Sequence, residues 1–170
     1  TALVAYLAKQ GLTVADTGHL IAMAILPWTF KLIWAPMIDS FNFPAMGRRR
    51  PWIIFAEIMM TVTLIALSIK GNILNDLNYL AWMFFLHNCF ASLQDVSTDA
   101  LAVDILHPDE RGQINGYMGG SKIVGVGIGS SIMGTILVNT SLNTTVLFQT
   151  GLVLAVMIFP LIFRERKGEK

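Results

Sequence analysis

The chain has 170 residues, of which 54% are hydrophobic and 14% are charged, and its formal net charge is +1. The apolar share exceeds that of an ordinary soluble domain and the charged share falls below it, so the composition predicts a membrane protein. The near-zero net charge excludes the basic surface that is typical of a nucleic-acid-binding protein, and the one cysteine, Cys89, excludes an internal disulfide.

Apolar runs, separated by charged clusters and by Gly, Asn and Pro, predict an all-α, polytopic bundle of membrane helices. Residues 1–8 are too few to span a bilayer and are interpreted as the end of a truncated first helix. Five longer runs follow, with approximate bounds 17–38, 51–70, 79–106, 114–138 and 145–163. Residues 1–163 are therefore predicted to form one transmembrane domain, and residues 164–170 a basic cytoplasmic linker. Pro27 and Pro36 predict kinks in the first of the five runs.

Basic residues are distributed unevenly over the loops. One set of alternate connections carries Arg48, Arg49, Arg50, Arg111, Arg164, Arg166, Lys167 and Lys170, and the other set carries only Lys9 and Lys70. Because lysine and arginine favour the cytoplasmic side of a membrane, loops 39–50 and 107–113 and the C-terminal tail are predicted to be cytoplasmic, in a multi-pass protein of the inner cell membrane.

Five ionisable side chains fall inside the predicted spanning helices: Lys31, Glu57, Asp95, Asp99 and Lys122. Such groups are costly in a bilayer and usually face a partner or a watery cavity, so each marks a candidate site. From a rise of about 1.5 Å per residue, four of them lie in one layer roughly 4 to 6 Å to the cytoplasmic side of the bilayer centre, with Asp99 about one turn lower.

On the helix predicted at 79–106, Asn88, Ser92, Asp95 and Asp99 recur at spacings that place them on one face. Two carboxylates one turn apart repel each other unless a cation lies nearby, and Lys122 is expected to be that cation. The layer counts two lysines against three acids, and the acid left over indicates proton coupling through Asp95 or Asp99. Static ion pairs that hold the bundle together are the alternative.

The other polar residues near this layer are expected to line the cavity or to form ion pairs, without carrying a proton. Lys31, Asn88 and His87 join the candidate solute cavity, and His87 is interpreted as a hydrogen-bonding group because no Cys or His lies at metal-ligand spacing. Glu57 and Asp104 are expected to form structural ion pairs. No phosphate-binding glycine loop or nucleophile motif is present, so neither an enzyme nor an ATP-driven pump is predicted, and no metal or cofactor is expected.

The loop at 39–50 contains Asp39, Gly47, Arg48, Arg49 and Arg50. With "FKLIWAPMID" before it and "SLQDVSTDALAVDILHPDERG" two helices later, it resembles the signature loop of the major facilitator superfamily, in the longer form of the peptide/acetyl-coenzyme A/drug transporter branch.

The resemblance implies the amino-terminal half of that fold, from the end of helix 1 through helix 6, with a missing carboxy-terminal six-helix half as its partner. Carriers of this kind are built from inverted repeats and move solute by rocking two halves around a midplane site. The resemblance further implies that the signature loop acts as a conformational latch, and that the solutes are small organic molecules such as cell-wall muropeptides.

The leading hypothesis is therefore a secondary active transporter in the bilayer that carries a small solute together with protons by alternating access. A facilitator or exchanger of the same fold, with purely structural acids, is the first alternative. A membrane scaffold or sensor that moves nothing is the second, and the cost of burying charges on several helices weighs against it.

Overall fold

The computed structural model describes residues 2–41, 43, 46–70 and 73–162. Within these ranges the chain forms α-helices joined by short loops, and the prediction of an all-α bundle is confirmed. The helices are α1 (Ala2–Lys9), α2 (Val14–Ile25), α3 (Lys31–Ser40), α4 (Arg50–Ile69), α5 (Leu77–Ile105), α6 (Arg111–Asn139) and α7 (Leu142–Ile162). Short 3₁₀ segments cover Leu26–Phe30 and Ile73–Asn75.

The first predicted span forms one helical rod, in which the 3₁₀ turn Leu26–Phe30 links α2 to α3. Thr13 begins the rod with a capping box: its hydroxyl accepts from the Asp16 amide at 3.2 Å, and the Asp16 carboxylate accepts from the Thr13 amide at 3.2 Å. Pro27 has no N–H to donate to the preceding turn, so the regular α-helix stops there. Of the two predicted kinks, Pro27 coincides with this 3₁₀ turn, whereas Pro36 lies inside α3.

The bundle is organised around α4 and α5, which pack against each other; α4 also packs against α7, and α5 against α2 and α3. Two clusters of buried side chains hold these helices together. The larger cluster draws on α1, α2, α4, α5 and α7, and contains Leu7, Leu20, Leu64, Leu67, Leu80, Ala81 and Val146. The smaller cluster joins α3, α4 and α5 through Ile38, Ala56 and Leu93.

Large apolar side chains cover much of the outer surface, especially on α6 and α7, where Ile123 and Phe159 are well exposed. Four helical segments of the described chain are long and apolar enough to cross a bilayer: Val14–Ser40, Arg50–Ile69, Arg111–Asn139 and Leu142–Ile162. α5 has 29 residues and is long enough to cross a bilayer, but its polar side chains make it less apolar than these four segments. An apolar exterior around a polar inner helix is typical of a membrane bundle.

Candidate functional site

Two lysines and two aspartates meet where α3, α5 and α6 come together. We call these four residues the ion network: Lys31, Asp95, Asp99 and Lys122. The Lys31 ammonium lies 2.5 Å from Asp95 Oδ2, and the Lys122 ammonium lies 2.8 Å from Asp95 Oδ1. Lys122 also donates to both carboxylate oxygens of Asp99, at 2.9 and 3.0 Å. Asp95 therefore binds two lysines, whereas Asp99 binds one.

Local structure explains why these side chains converge. Asp95 and Asp99 are one turn apart on α5 and project from the same face. Lys31 is the first residue of α3, directly after the 3₁₀ turn that contains Pro27. Lys122 reaches the two acids from α6 on its long, flexible stem. The ion network opens to one side: 16% of the Asp95 side chain is exposed, against 47% for both Asp99 and Lys122.

An aromatic side chain borders the ion network. The Lys31 ammonium lies 4.8 Å from the ring centroid of Trp28, which is cation–π range. The Trp28 indole N–H donates to Asn88 Oδ1 at 3.1 Å, and the Asn88 amide group donates to the Phe84 carbonyl at 2.9 Å. Trp28 thus connects the ion network to Asn88 on α5 and leaves part of its ring exposed.

Glu57 lies apart from the ion network, although its position in the sequence predicts the same layer. It is 1% exposed, and its Oε1 accepts a hydrogen bond from the Gln94 side chain at 3.0 Å. Among the described residues, Oε2 has no hydrogen-bond partner and Glu57 makes no ion pair. The expected ion pair is therefore not found, because Glu57 faces Gln94, which lies outside the stripe that carries the acids. The charges within the ion network balance, and the acid left over is Glu57.

His87 lies at a cavity of about 400 Å³ between α2, α4, α5, α6 and α7. Its Nδ1 is 3.0 Å from the Thr63 hydroxyl, which in turn donates to the Met60 carbonyl at 2.7 Å. The polar side chains that line the cavity are His87, Asn88, Ser130, Thr145 and Gln149.

The signature loop is held in a tight, charged turn between α3 and α4. Gly47 adopts φ +92°, a left-handed conformation that favours glycine, and pairs with Phe43 in an isolated β-bridge. Asp39, near the end of α3, accepts from Arg48 at 3.0 Å and from Arg49 at 2.5 Å. The arginines therefore fold back on the helix that precedes the loop.

Two of the arginines also reach the ends of other helices. Arg49 is 7% exposed and donates to the Asp104 carboxylate on α5 at 2.8 Å. Burial disfavours its charged form, but the hydrogen bonds to Asp104 and Asp39 outweigh burial and raise the pKa of Arg49 above its ordinary value. Arg50 donates to the backbone carbonyls of Pro160 and Leu161 at 2.5 and 2.7 Å. The signature loop thereby joins the adjacent ends of α3, α4, α5 and α7.

Several residues of these contacts were not singled out from the sequence. Trp28 follows a proline in an apolar run, and its indole N–H needs an acceptor when partly buried, which is a usable signal. Gln94 and Gln149 are isolated amides in apolar helices and could have been found in the same way. Within the described ranges, no group of three or more His, Cys, Asp or Glu side chains could hold a metal ion.

Comparison with known proteins agrees with this architecture. The family model described as Major Facilitator Superfamily matches residues 1–170. The protein named AmpG 4 from Rickettsia conorii is 29% identical over 133 residues, which cover 74% of this chain and 32% of that relative. The anhydromuropeptide permease of Escherichia coli K12 is 35% identical over 89 residues, which cover 50% of this chain and 17% of that relative.

A eukaryotic relative extends the similarity. An uncharacterized membrane protein of Saccharomyces cerevisiae is 28% identical over 144 residues, which cover 73% of this chain and 25% of that protein. The chain thus spans a third or less of the length of each of these relatives. With a helical bundle, an apolar exterior and a family match along its whole length, the chain belongs to the major facilitator superfamily.

Proposed function

We propose that this chain is the amino-terminal half of a secondary active transporter that moves a small organic solute by alternating access. Its helices α1 to α7 would correspond to the end of helix 1 through helix 6 of the carrier. Membership of the superfamily and the greater length of the relatives support this proposal. A second six-helix half would supply the opposite wall of the solute pathway.

The observation that carries the proposal is the ion network. Charged groups inside membrane helices are costly, and they are usually placed where a solute or an ion passes. Lys31, Asp95, Asp99 and Lys122 come from three different helices, and most of this set is partly exposed rather than buried in the bundle. A scaffold would have little use for exposed charges at this position, whereas a carrier needs polar groups at its binding site.

We propose a muropeptide-like compound as the solute and a proton as the coupling ion. The solute class comes from the E. coli relative, which is named an anhydromuropeptide permease. The carboxylates Asp95 and Asp99 are the candidate proton carriers, since a protein that accumulates a solute with protons needs an acid in its pathway.

We further propose that the signature loop lies on the cytoplasmic side of the inner membrane and acts as the conformational latch. Its three arginines are among the basic residues that set the predicted orientation. The hydrogen bonds of Arg49 and Arg50 to the ends of α5 and α7 support the proposal, because a displacement of the loop would move the ends of both helices.

A facilitator or exchanger without proton coupling is the second candidate. The charge balance of the ion network favours it: each acid there has a lysine partner, and the unpaired acid, Glu57, lies elsewhere. In that case the four charges would bind solute or stabilise the bundle without exchanging a proton.

Uptake by the full-length protein in sealed proteoliposomes separates the two candidates. A labelled anhydromuropeptide is supplied outside, with the interior one pH unit more alkaline or at equal pH. The proton-coupled carrier should accumulate the compound only with the gradient, by up to about tenfold for one proton per solute. Equal final concentrations inside and outside under both conditions would identify a facilitator. Entry only into vesicles preloaded with unlabelled compound would identify an exchanger, and no entry under any of these conditions would reject the solute class.

A further inference from the structure

We propose that Lys122 binds a carboxylate of the transported solute in place of Asp99, and that Asp99 then takes up the coupling proton. The inference rests on the proposed function and deepens it, because it restricts the solute to a molecule with a carboxylate and assigns separate roles to the two acids. Lys122 forms ion pairs with Asp95 and with Asp99, and these two acids differ in how many lysines they bind and in how exposed they are.

Asp95 is the acid of the ion network that keeps its lysine partners when solute binds. Its carboxylate binds ammonium groups from two helices, at 2.5 and 2.8 Å, and its side chain is only 16% exposed. Removing it would leave both Lys31 and Lys122 without that partner. Asp95 therefore fixes the position of Lys122 whatever else binds there.

Asp99 is the acid of the ion network that a solute carboxylate replaces as the partner of Lys122. Among the described residues it binds Lys122 alone, and the two side chains are each 47% exposed, so an incoming molecule can reach the contact. An ion pair that is this exposed holds its two side chains together less firmly than a buried one does. A solute carboxylate offers Lys122 the same chemistry as Asp99 and can replace it at small cost.

The charge balance explains why a proton must follow. The empty ion network contains two acids and two lysines. A bound solute carboxylate would make three acids against two lysines, which is unfavourable away from bulk water. When Lys122 turns to the solute, Asp99 is the acid that loses its cation, and protonation of its carboxylate restores a net charge of zero. One monovalent anion and one proton therefore enter together, and no net charge moves.

No other ionisable side chain of the described neighbours takes over this role. Lys31 from α3 and Lys122 from α6 are the cations that face the acids. On α5, Asp95 is the other acid of the ion network, and Asp104, nearer the end of the helix, is paired with Arg49. Glu57, the acid of α4, binds a glutamine outside the ion network. The ionisable residues of α2 lie in its first two turns, at the far end of that rod, and α7 has none.

Beside these charges, Trp28 offers a contact for the body of the solute. Trp28 is 39% exposed, and its indole N–H donates to Asn88, which fixes the orientation of the ring. A charged group next to a flat apolar surface suits a molecule that has both a carboxylate and a ring.

The test uses the full-length protein in proteoliposomes with a labelled anhydromuropeptide and a matched analogue whose carboxylates are amidated. Asp99→Asn should still exchange labelled for unlabelled compound at equal pH, but its accumulation under a one-unit pH gradient should fall from up to about tenfold to none. Asp76→Asn, the same change in an ion pair of the loop before α5, serves as the control and should accumulate as the unsubstituted protein does.

Lys122→Gln tests the solute contact separately. The unsubstituted protein should prefer the carboxylate compound over the amide by about tenfold or more, and Lys122→Gln should lose this preference while Lys122→Arg retains it. Full accumulation by Asp99→Asn, or an unchanged preference in Lys122→Gln, would overturn the inference. Absence of any exchange by the unsubstituted protein would instead overturn the proposed solute class, and the inference with it.

Discussion

Replacement of Asp95 by Asn should destabilise the protein far more than the same replacement at Asp99. Asp95 is mostly buried and accepts hydrogen bonds from two ammonium groups. Hydrogen bonds to charged groups contribute about 1.5 to 3 kcal/mol each, and side-chain hydrogen bonds between membrane helices reach about 1.7 kcal/mol. Asn removes the negative charge that faces both lysines but keeps an oxygen that accepts weaker hydrogen bonds. We therefore expect Asp95→Asn to lower the free energy of unfolding by about 2 kcal/mol.

This value stays below the cost of about 3 to 5 kcal/mol for breaking a fully buried ion pair, because Lys31 is 39% exposed and can be partly hydrated. Asp99→Asn removes an exposed ion pair and leaves Lys122 paired with Asp95, so it should cost less than about 1 kcal/mol.

Thermal unfolding of the full-length protein in detergent measures both effects on one scale. A double-mutant cycle between Lys31→Gln and Asp95→Asn isolates the interaction of these two side chains, and the double variant should be more stable than the sum of the single effects predicts by about 1 kcal/mol. Equal losses of stability for Asp95→Asn and Asp99→Asn, or strictly additive losses in the cycle, would refute the division of roles within the ion network.

Three further predictions concern the loops. Gly47→Ala places a side chain at φ +92° and should cost about 1 to 2 kcal/mol in the same unfolding assay, whereas Gly112→Ala, at a helical position with open space around it, should cost nothing. Arg49→Gln leaves Asp104 without its guanidinium and should make the loop between α3 and α4 more sensitive to limited proteolysis; unchanged cleavage would argue against the role of Arg49 in joining the helix ends. The hydrogen bonds from a lysine and from the first turn of α5 lower the pKa of Asp76 below its ordinary value of 3.8, so its contribution to stability is present above pH 3.8 and is lost as the pH falls through the lowered pKa. Hydrogen exchange in the first turn of α5 should therefore accelerate in acid, after correction for intrinsic rates, and Asp76→Asn should remove this dependence.

The pairing of Lys122 with the acids of α5 could be predicted because it depends on local geometry. Helical periodicity places Asp95 and Asp99 on one face, and the rise per residue gives the depth of each charge along its helix. Opposite charges at equal depth on neighbouring helices attract each other strongly, because a surrounding bilayer screens them less than water does. The helices could be predicted from the apolar runs for a related reason: a spanning segment must satisfy its own backbone hydrogen bonds.

Other contacts depend on how the helices rotate and pack, which sequence periodicity leaves open. Glu57 binds Gln94, the residue next to Asp95 in the chain, instead of a lysine, and this partner depends on how α4 is rotated against α5. Arg50 binds the carbonyls of Pro160 and Leu161, residues 110 and 111 positions away in the chain. No local pattern marks those carbonyls, because every helix end has unpaired carbonyl groups.

The proposal that the ion network lies on the solute pathway is tested most directly by chemical accessibility. Asp99→Cys is introduced into the full-length protein from which Cys89 and all other cysteines have been removed, and an impermeant charged thiol reagent is added to either side of sealed vesicles. Alternating access predicts that Cys at this position reacts from both sides and that an unlabelled anhydromuropeptide slows the reaction. Reaction from one side only, at a rate that the anhydromuropeptide does not change, would contradict the proposed pathway.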